Sequence, residues 1–214
     1  MPILNDKIKS QVRELLASMP ATVKIVFVES DETCTFCAET KELLHEISHE
    51  SHKIELVSYN LKENKEEAEA LKIDRAPGIA IMGKEKDYGV RIYGIPSGYE
   101  FSSLLEIIQA VSKKEAGINN EVPSHLKNIN KPVNLKVFVS PTCPYCPSAV
   151  VTAHKFAIEN EHITAEMFEA SEFPELSEKY GVMGVPRTII NEEDFIEGAL
   201  PEKLVVDRIL AAAV

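Results

Sequence analysis

One interval of 43 residues occurs twice in this chain and restricts its fold more than any other feature. Cys34 stands 43 residues before Pro77, and Cys143 stands 43 residues before Pro186. Each proline follows a short apolar-and-turn segment, Ile73-Asp74-Arg75-Ala76 in one copy and Val182-Met183-Gly184-Val185 in the other. Each precedes a short strand-like run, Ile79-Ala80-Ile81-Met82 or Thr188-Ile189-Ile190. Self-similarity at a fixed interval marks a repeated structural unit. The 214 residues suffice for two such units of roughly 100 each.

The correspondence extends upstream and downstream. Val23-Lys24-Ile25-Val26-Phe27-Val28 and Val133-Asn134-Leu135-Lys136-Val137-Phe138-Val139 are near-continuous β-branched and apolar runs, the signature of a central strand covered on both faces. Phe27 precedes its cysteine by seven residues and Phe138 by five, so the first loop is two residues longer. Helical stretches follow over 35–50 and 144–160, then strands at Ile54–Tyr59 and Ile163–Phe168. Polar helices come next at 63–72 and 172–180. Each unit closes with a short strand running to Gly94 or Gly198 and a last helix, whose apolar stripe is clear in Phe101, Leu104, Leu105, Ile108 and Val111. Leu204, Val205 and Ile209 repeat the stripe more weakly. A leading helix is marked by Ile8, Val12, Leu15, Leu16 and Met19; its counterpart near 120–130 is less regular. The expected class is α/β: two tandem units, 1–117 and 118–214, each a mixed four-stranded sheet with flanking helices. Lys113 to Asn120 is the candidate linker. Whether the two sheets join edge to edge is left open.

The four cysteines form two close pairs, Cys34/Cys37 and Cys143/Cys146, with none left over. A Cys-x-x-Cys directly after a buried strand places its first cysteine at a helix N-terminus, where free N–H groups and the helix dipole favour an anion. That stabilises thiolate over thiol. The second cysteine, one turn on, can close a disulfide or release a mixed one. Pro144 suits the first helical turn, and Pro147 is early enough to be tolerated. Phe36 and Tyr145 place an aromatic beside each pair. A structural zinc held by four thiolates is the main competing use. Zinc ribbons bring their pairs together from ~15–20 residues apart, whereas 105 residues lie between Cys37 and Cys143. The matched prolines suit tight turns, and cis bonds are expected at Ala76-Pro77 and Val185-Pro186. Such turns would offer backbone groups to an extended peptide. Ala76, Pro77, Val185 and Pro186 are therefore the expected substrate-binding residues.

Cys143-Pro144-Tyr145-Cys146 matches the glutaredoxin active-site sequence, and the order of elements resembles the thioredoxin superfamily. Asp74-Arg75-Ala76-Pro77, Gly89-Val90-Arg91, Ser140 to Pro147 and Ala153 to Asn160 make nearly the whole chain similar to the protein disulfide oxidoreductases, glutaredoxin-like proteins of thermophilic archaea and bacteria. The resemblance implies two tandem thioredoxin/glutaredoxin-like folds and a cytoplasmic enzyme that reduces, forms or isomerises protein disulfides. It implies protein disulfides as substrates and a flavin-dependent, thioredoxin-reductase-like enzyme as partner. Cys34 and Cys143 would attack, and Cys37 and Cys146 would resolve. Thr35-Phe36 departs from both the glutaredoxin and the thioredoxin middle residues. Thr33 and Thr142 stand where thioredoxins carry a tryptophan, a residue this chain lacks.

Other candidates weigh less. His45 and His154 each fall 11 residues after the first cysteine of their unit, about 16 Å along a helix, so surface or packing roles are expected. His49, His52 and His162 read as solvated helix ends. Arg75 and Arg187 flank the prolines and read first as ion-pair partners, and Glu63 to Glu69 as an exposed helix face. No resident cofactor or metal is expected. Net charge is −11, with 15 basic against 20 acidic residues up to Gly117 and 8 against 14 beyond it. Neither half has the basic surplus that nucleic acid or anionic membranes require. No run approaches the ~18–20 apolar residues of a membrane helix. Met1 to Lys7 lacks the form of a secretory signal, so an intracellular protein is expected. Three rivals stand beside the oxidoreductase: a redox-relay or peptide-binding chaperone module with secondary thiols, a glutathione-transferase-like protein with a helical second half, and the zinc protein.

Overall fold

The computed structural model describes residues 2–32, 34–119 and 121–212. Thr33, and Asn120 at the end of the expected linker, lie outside the described residues. The first half runs α1 (Asp6–Leu16), β1 (Val23–Glu29), α2 (Cys37–His49), β2 (Ile54–Asn60), α3 (Lys65–Ala70), β3 (Gly78–Gly83), β4 (Val90–Tyr93) and α4 (Glu100–Lys113). The second runs α5 (Val122–Leu126), β5 (Val133–Val139), α6 (Cys146–Glu159), β6 (Ile163–Glu169), α7 (Pro174–Lys179), β7 (Arg187–Ile190), β8 (Asp194–Glu197) and α8 (Glu202–Ala212). The expected order of elements occurs twice. The strands at 133–139, 163–169 and 187–190 rule out a helical second half. No described helix is long and apolar enough to cross a membrane.

The edge-to-edge question left by the sequence has a definite answer. All eight strands among the described residues form one sheet, ordered β2-β1-β3-β4-β6-β5-β7-β8. β4 pairs in parallel with β6, from Val90 opposite Ala165 to Tyr93 opposite Phe168. The rings of Tyr93 and Phe168 stack across this seam at 4.6 Å. Arg91 donates to Asp87 and to the Leu71 carbonyl, which satisfies a buried guanidinium that would otherwise be costly. His154 on α6 donates from Nε2 to the Arg91 carbonyl at 3.1 Å. Above the sheet α4 packs on α6, and Lys155 bridges to Glu106 at 2.8 Å.

Strand β1 shows why its sequence is almost wholly apolar. Val23, Ile25 and Phe27 enter the core beneath α1, α2 and α4, while Val26 and Val28 enter a second core with Ala68 of α3. Successive side chains point to opposite faces of a strand, and both faces here are covered. α3 and α7 cover one face; the remaining helices cover the other.

Candidate active site

Strand directions place the two cysteine loops together. β1 is antiparallel to β3 and β3 to β4, whereas β4, β6 and β5 run parallel. β1 and β5 therefore point the same way, and the loops after them leave one end of the common sheet. Cys37 and Cys146 both enter the same core. Each pair is closed as a disulfide within its own unit, with Cα atoms 5.4 Å apart for Cys34–Cys37 and 5.5 Å for Cys143–Cys146.

Regular helix begins two residues later than the spacing predicts, at Cys37 and Cys146. Residues 35–36 and 144–145 form a turn. The second cysteine of each pair, rather than the first, is the first helical residue. Pro147, not Pro144, takes the first-turn proline position, where the missing N–H costs nothing. Cys143 still meets the helix terminus, because the Cys146 N–H donates to its Sγ at 3.1 Å. This is one of the first-turn donors that a helix leaves without an internal partner.

Ala76-Pro77 and Val185-Pro186 are both cis. The Val185 carbonyl oxygen lies 3.7 Å from the Cys143 sulfur. Ala76 and Val185 are half-buried against the core that holds the cysteines. Around the sites Phe36 is 37%, Tyr145 70% and Met183 93% exposed. Cys34 is half-buried, whereas Cys143 and Cys146 are buried.

The histidines and arginines have structural surroundings. His45 is exposed on α2. His154 is fully enclosed at the seam, and burial holds its pKa down at about 4. Arg75 forms a two-pronged pair with Asp74 at 2.8 Å. Arg187 bonds Glu197 at 2.7 Å and covers the Phe195 ring.

Three carboxyls escaped the sequence reading. Glu100 opens α4 and is 1% exposed; the neighbouring Tyr99 N–H donates to the Pro141 carbonyl of the loop before Cys143. Burial raises the Glu100 pKa to about 7, against the pull of the Ser103 hydroxyl that donates to Oε2. Its Oε1 has no partner among the described residues. Glu169 ends β6, and Glu172 lies just beyond it. Burial first, then the charges of Glu169 and Glu39, raise Glu172 to about 7, while the Ile95 N–H bonded to it pulls the other way. No local pattern singles these residues out from the other 31 acidic side chains, since Asp and Glu number 34.

Comparison with known proteins accords with this geometry. The thioredoxin domain family matches residues 133–211. A protein disulfide oxidoreductase from Aeropyrum pernix superimposes with a TM-score of 0.91 and 32% identity, over 98% of this chain and 93% of that one. The NTD_N/C domain of the alkylhydroperoxide reductase AhpF from Enterococcus faecalis shares the fold, with a TM-score of 0.89 at 23% identity, over 96% of this chain and 99% of that one. A subunit of alkyl hydroperoxide reductase from Staphylococcus aureus is 30% identical over 212 residues, 99% of this chain. The chain spans 38% of the length of that curated relative.

Proposed function

The chain belongs to the protein disulfide oxidoreductase family of the thioredoxin superfamily, and from that membership we propose that it exchanges disulfides with other proteins at both cysteine pairs. We divide it into redox units at 1–117 and 118–214, with Cys34 and Cys143 as nucleophiles and Cys37 and Cys146 as resolving thiols. The carrying observation is the close association of one reactive sulfur with both a helix opening and a proline turn: the Cys146 N–H at 3.1 Å and the Val185 carbonyl at 3.7 Å from Cys143 Sγ.

In the reducing direction, the Cys143 thiolate attacks one sulfur of a substrate disulfide and expels the other as thiolate. Cys146 then attacks the Cys143 sulfur, closes the intramolecular disulfide and releases the second substrate thiol. Two electrons pass from the dithiol to the substrate. A flavin-dependent, thioredoxin-reductase-like enzyme restores the dithiol; oxidation and isomerisation use the same steps in other orders. The N–H at Cys143 Sγ favours a charged sulfur over a neutral one. Glu100 and Glu172 can take up or release protons in the pH range where thiols exchange. Backbone groups at Ala76-Pro77 and Val185-Pro186 pair with the substrate chain. We place this chemistry in the cytoplasm.

Insulin reduction by the dithiol form tests the proposal. We assign the stronger activity to the Cys-Pro-Tyr-Cys pair, so Cys143→Ser removes most turnover and Cys34→Ser removes less. Loss of all activity in Cys34→Ser alone overturns that ranking. Full activity after Cys→Ser at all four positions overturns the function.

A further inference from the structure

Between the two cysteine sites lies a cleft of about 530 Å³, lined by Phe36 of the first and by Met183, Gly184 and Val185 of the second. Its apolar lining includes Ile95 and Val182, and three carboxylates reach it: Glu39 from the first turn of α2, and Glu169 and Glu172 from the end of β6. Among the described residues, no lysine or arginine lines it. The Ile95 N–H fixes Glu172 Oε1 at 2.6 Å. The Glu172 N–H and the Ser171 hydroxyl hold Glu169 Oε2 at 2.8 and 2.7 Å. Glu172 Oε2 is buried without a partner among the described residues. Gly94, at φ +92°, makes room for this arrangement: a Cβ there would lie 2.7 Å from Glu172 Oε1 and 2.6 Å from Glu169 Cβ.

We propose that this cleft seats the substrate chain beside the cysteine under attack and selects a lysine or arginine side chain there. The proposal deepens the disulfide-exchange reading and rests on it. An extended segment reaching Cys143 past the Val185 carbonyl enters the cleft next to Glu172. Its aliphatic stem covers the lining around Ile95 and Val182, and its cation meets the acidic side chains of Glu39, Glu169 and Glu172. Amphipathic basic side chains bury their stems while presenting the charge in this way. A bare divalent cation fits less well, because backbone and hydroxyl donors already engage Glu169 Oε2 and Glu172 Oε1. A substrate with an acidic residue at the same place meets three carboxylates. Like charges brought together in this way oppose binding.

Two peptide disulfides, identical except for Lys or Glu next to cysteine, test the inference through kcat/KM of the dithiol protein at low salt and at pH 8, above the Glu172 pKa of about 7. A lysine preference of about tenfold, shrinking as salt rises, is expected from one new ion pair and the removal of like-charge contacts. In Glu172→Gln the ratio falls towards one, chiefly through KM. Fluorescence anisotropy of cysteine-free versions on the disulfide form reads the same preference without chemistry. Reduction of both peptides with a ratio within twofold, or an undiminished ratio in Glu172→Gln, overturns the inference and leaves disulfide exchange standing. A lysine preference in anisotropy without reduction of either peptide supports the cleft and overturns disulfide exchange instead.

Discussion

Replacing Glu100 by Gln should make the protein's stability markedly less sensitive to alkali. The wild-type carboxyl is buried at the start of α4, and its pKa is raised from 4.5 to about 7. In the unfolded chain it ionises near its ordinary value. The folded state therefore binds this proton more tightly. The stability it contributes is complete below about pH 4.5 and is lost as pH rises through 7. At about 1.4 kcal/mol per tenfold in proton affinity, the loss between pH 4.5 and 8.5 is roughly 3 kcal/mol. Gln keeps the shape and can still accept from the Ser103 hydroxyl, but it has no proton to lose. A constant offset is expected from its amide N–H groups, and that offset cancels when the two pH values are compared. Guanidinium unfolding of both disulfide forms, followed by circular dichroism at pH 4.5 and 8.5, gives four free energies. The variant-minus-wild-type difference should rise by roughly 3 kcal/mol between the two pH values. Equal pH dependence in the two proteins would refute the reasoning, because it would mean that Glu100 ionises at the same pH folded and unfolded.

Three further outcomes follow from the seam and the second site. His154, held neutral by burial with a pKa of about 4, contributes stability that is complete above about pH 6.5 and is lost as pH falls through 4, by roughly 3 kcal/mol. His154→Gln keeps a donor for the Arg91 carbonyl and should move the acid-unfolding midpoint downwards; an unmoved midpoint counts against the assignment. Tyr93→Leu removes the stacked ring and the hydroxyl that donates to the Lys72 carbonyl, at a cost of about 2–4 kcal/mol in denaturant unfolding; a cost below ~0.5 kcal/mol would contradict the packing described. At Gly98, with φ +60°, an added Cβ would lie 2.2 Å from the Pro141 carbonyl oxygen. Gly98→Ala should displace the loop before Cys143 and slow alkylation or exchange at Cys143 more than at Cys34, read by mass spectrometry; equal effects at both sites would show that the displacement does not reach Cys143 selectively.

Much of the architecture was legible because local chemistry dictates it. β-Branched runs form strands wherever they occur, so β1 and β5 stand out at once. A proline narrows its own backbone choices, and both X-Pro bonds at the repeated interval are cis as expected. Helix limits were read less well. The spacing alone did not show that a turn occupies residues 35–36 and 144–145 and delays regular helix to Cys37 and Cys146. The short α5 was similarly blurred, because five residues cannot display a period.

The sequence by itself determined that there are two units, the order of elements within each, and the placing of a cysteine pair and a proline in equivalent positions. All of these depend on neighbours close along the chain or on the repeat. Only the tertiary structure decided that β4 joins β6, bringing both sulfur pairs to one end of a single sheet with an acidic cleft between them. It also decided which charged residues lose water. His154 bonds a carbonyl 63 residues away, and Glu172 bonds an N–H 77 residues away. Nothing near Glu100 in sequence marks it from the acids that stay solvated. Burial is a property of what the rest of the chain brings alongside, and a pattern of adjacent residues carries no record of that.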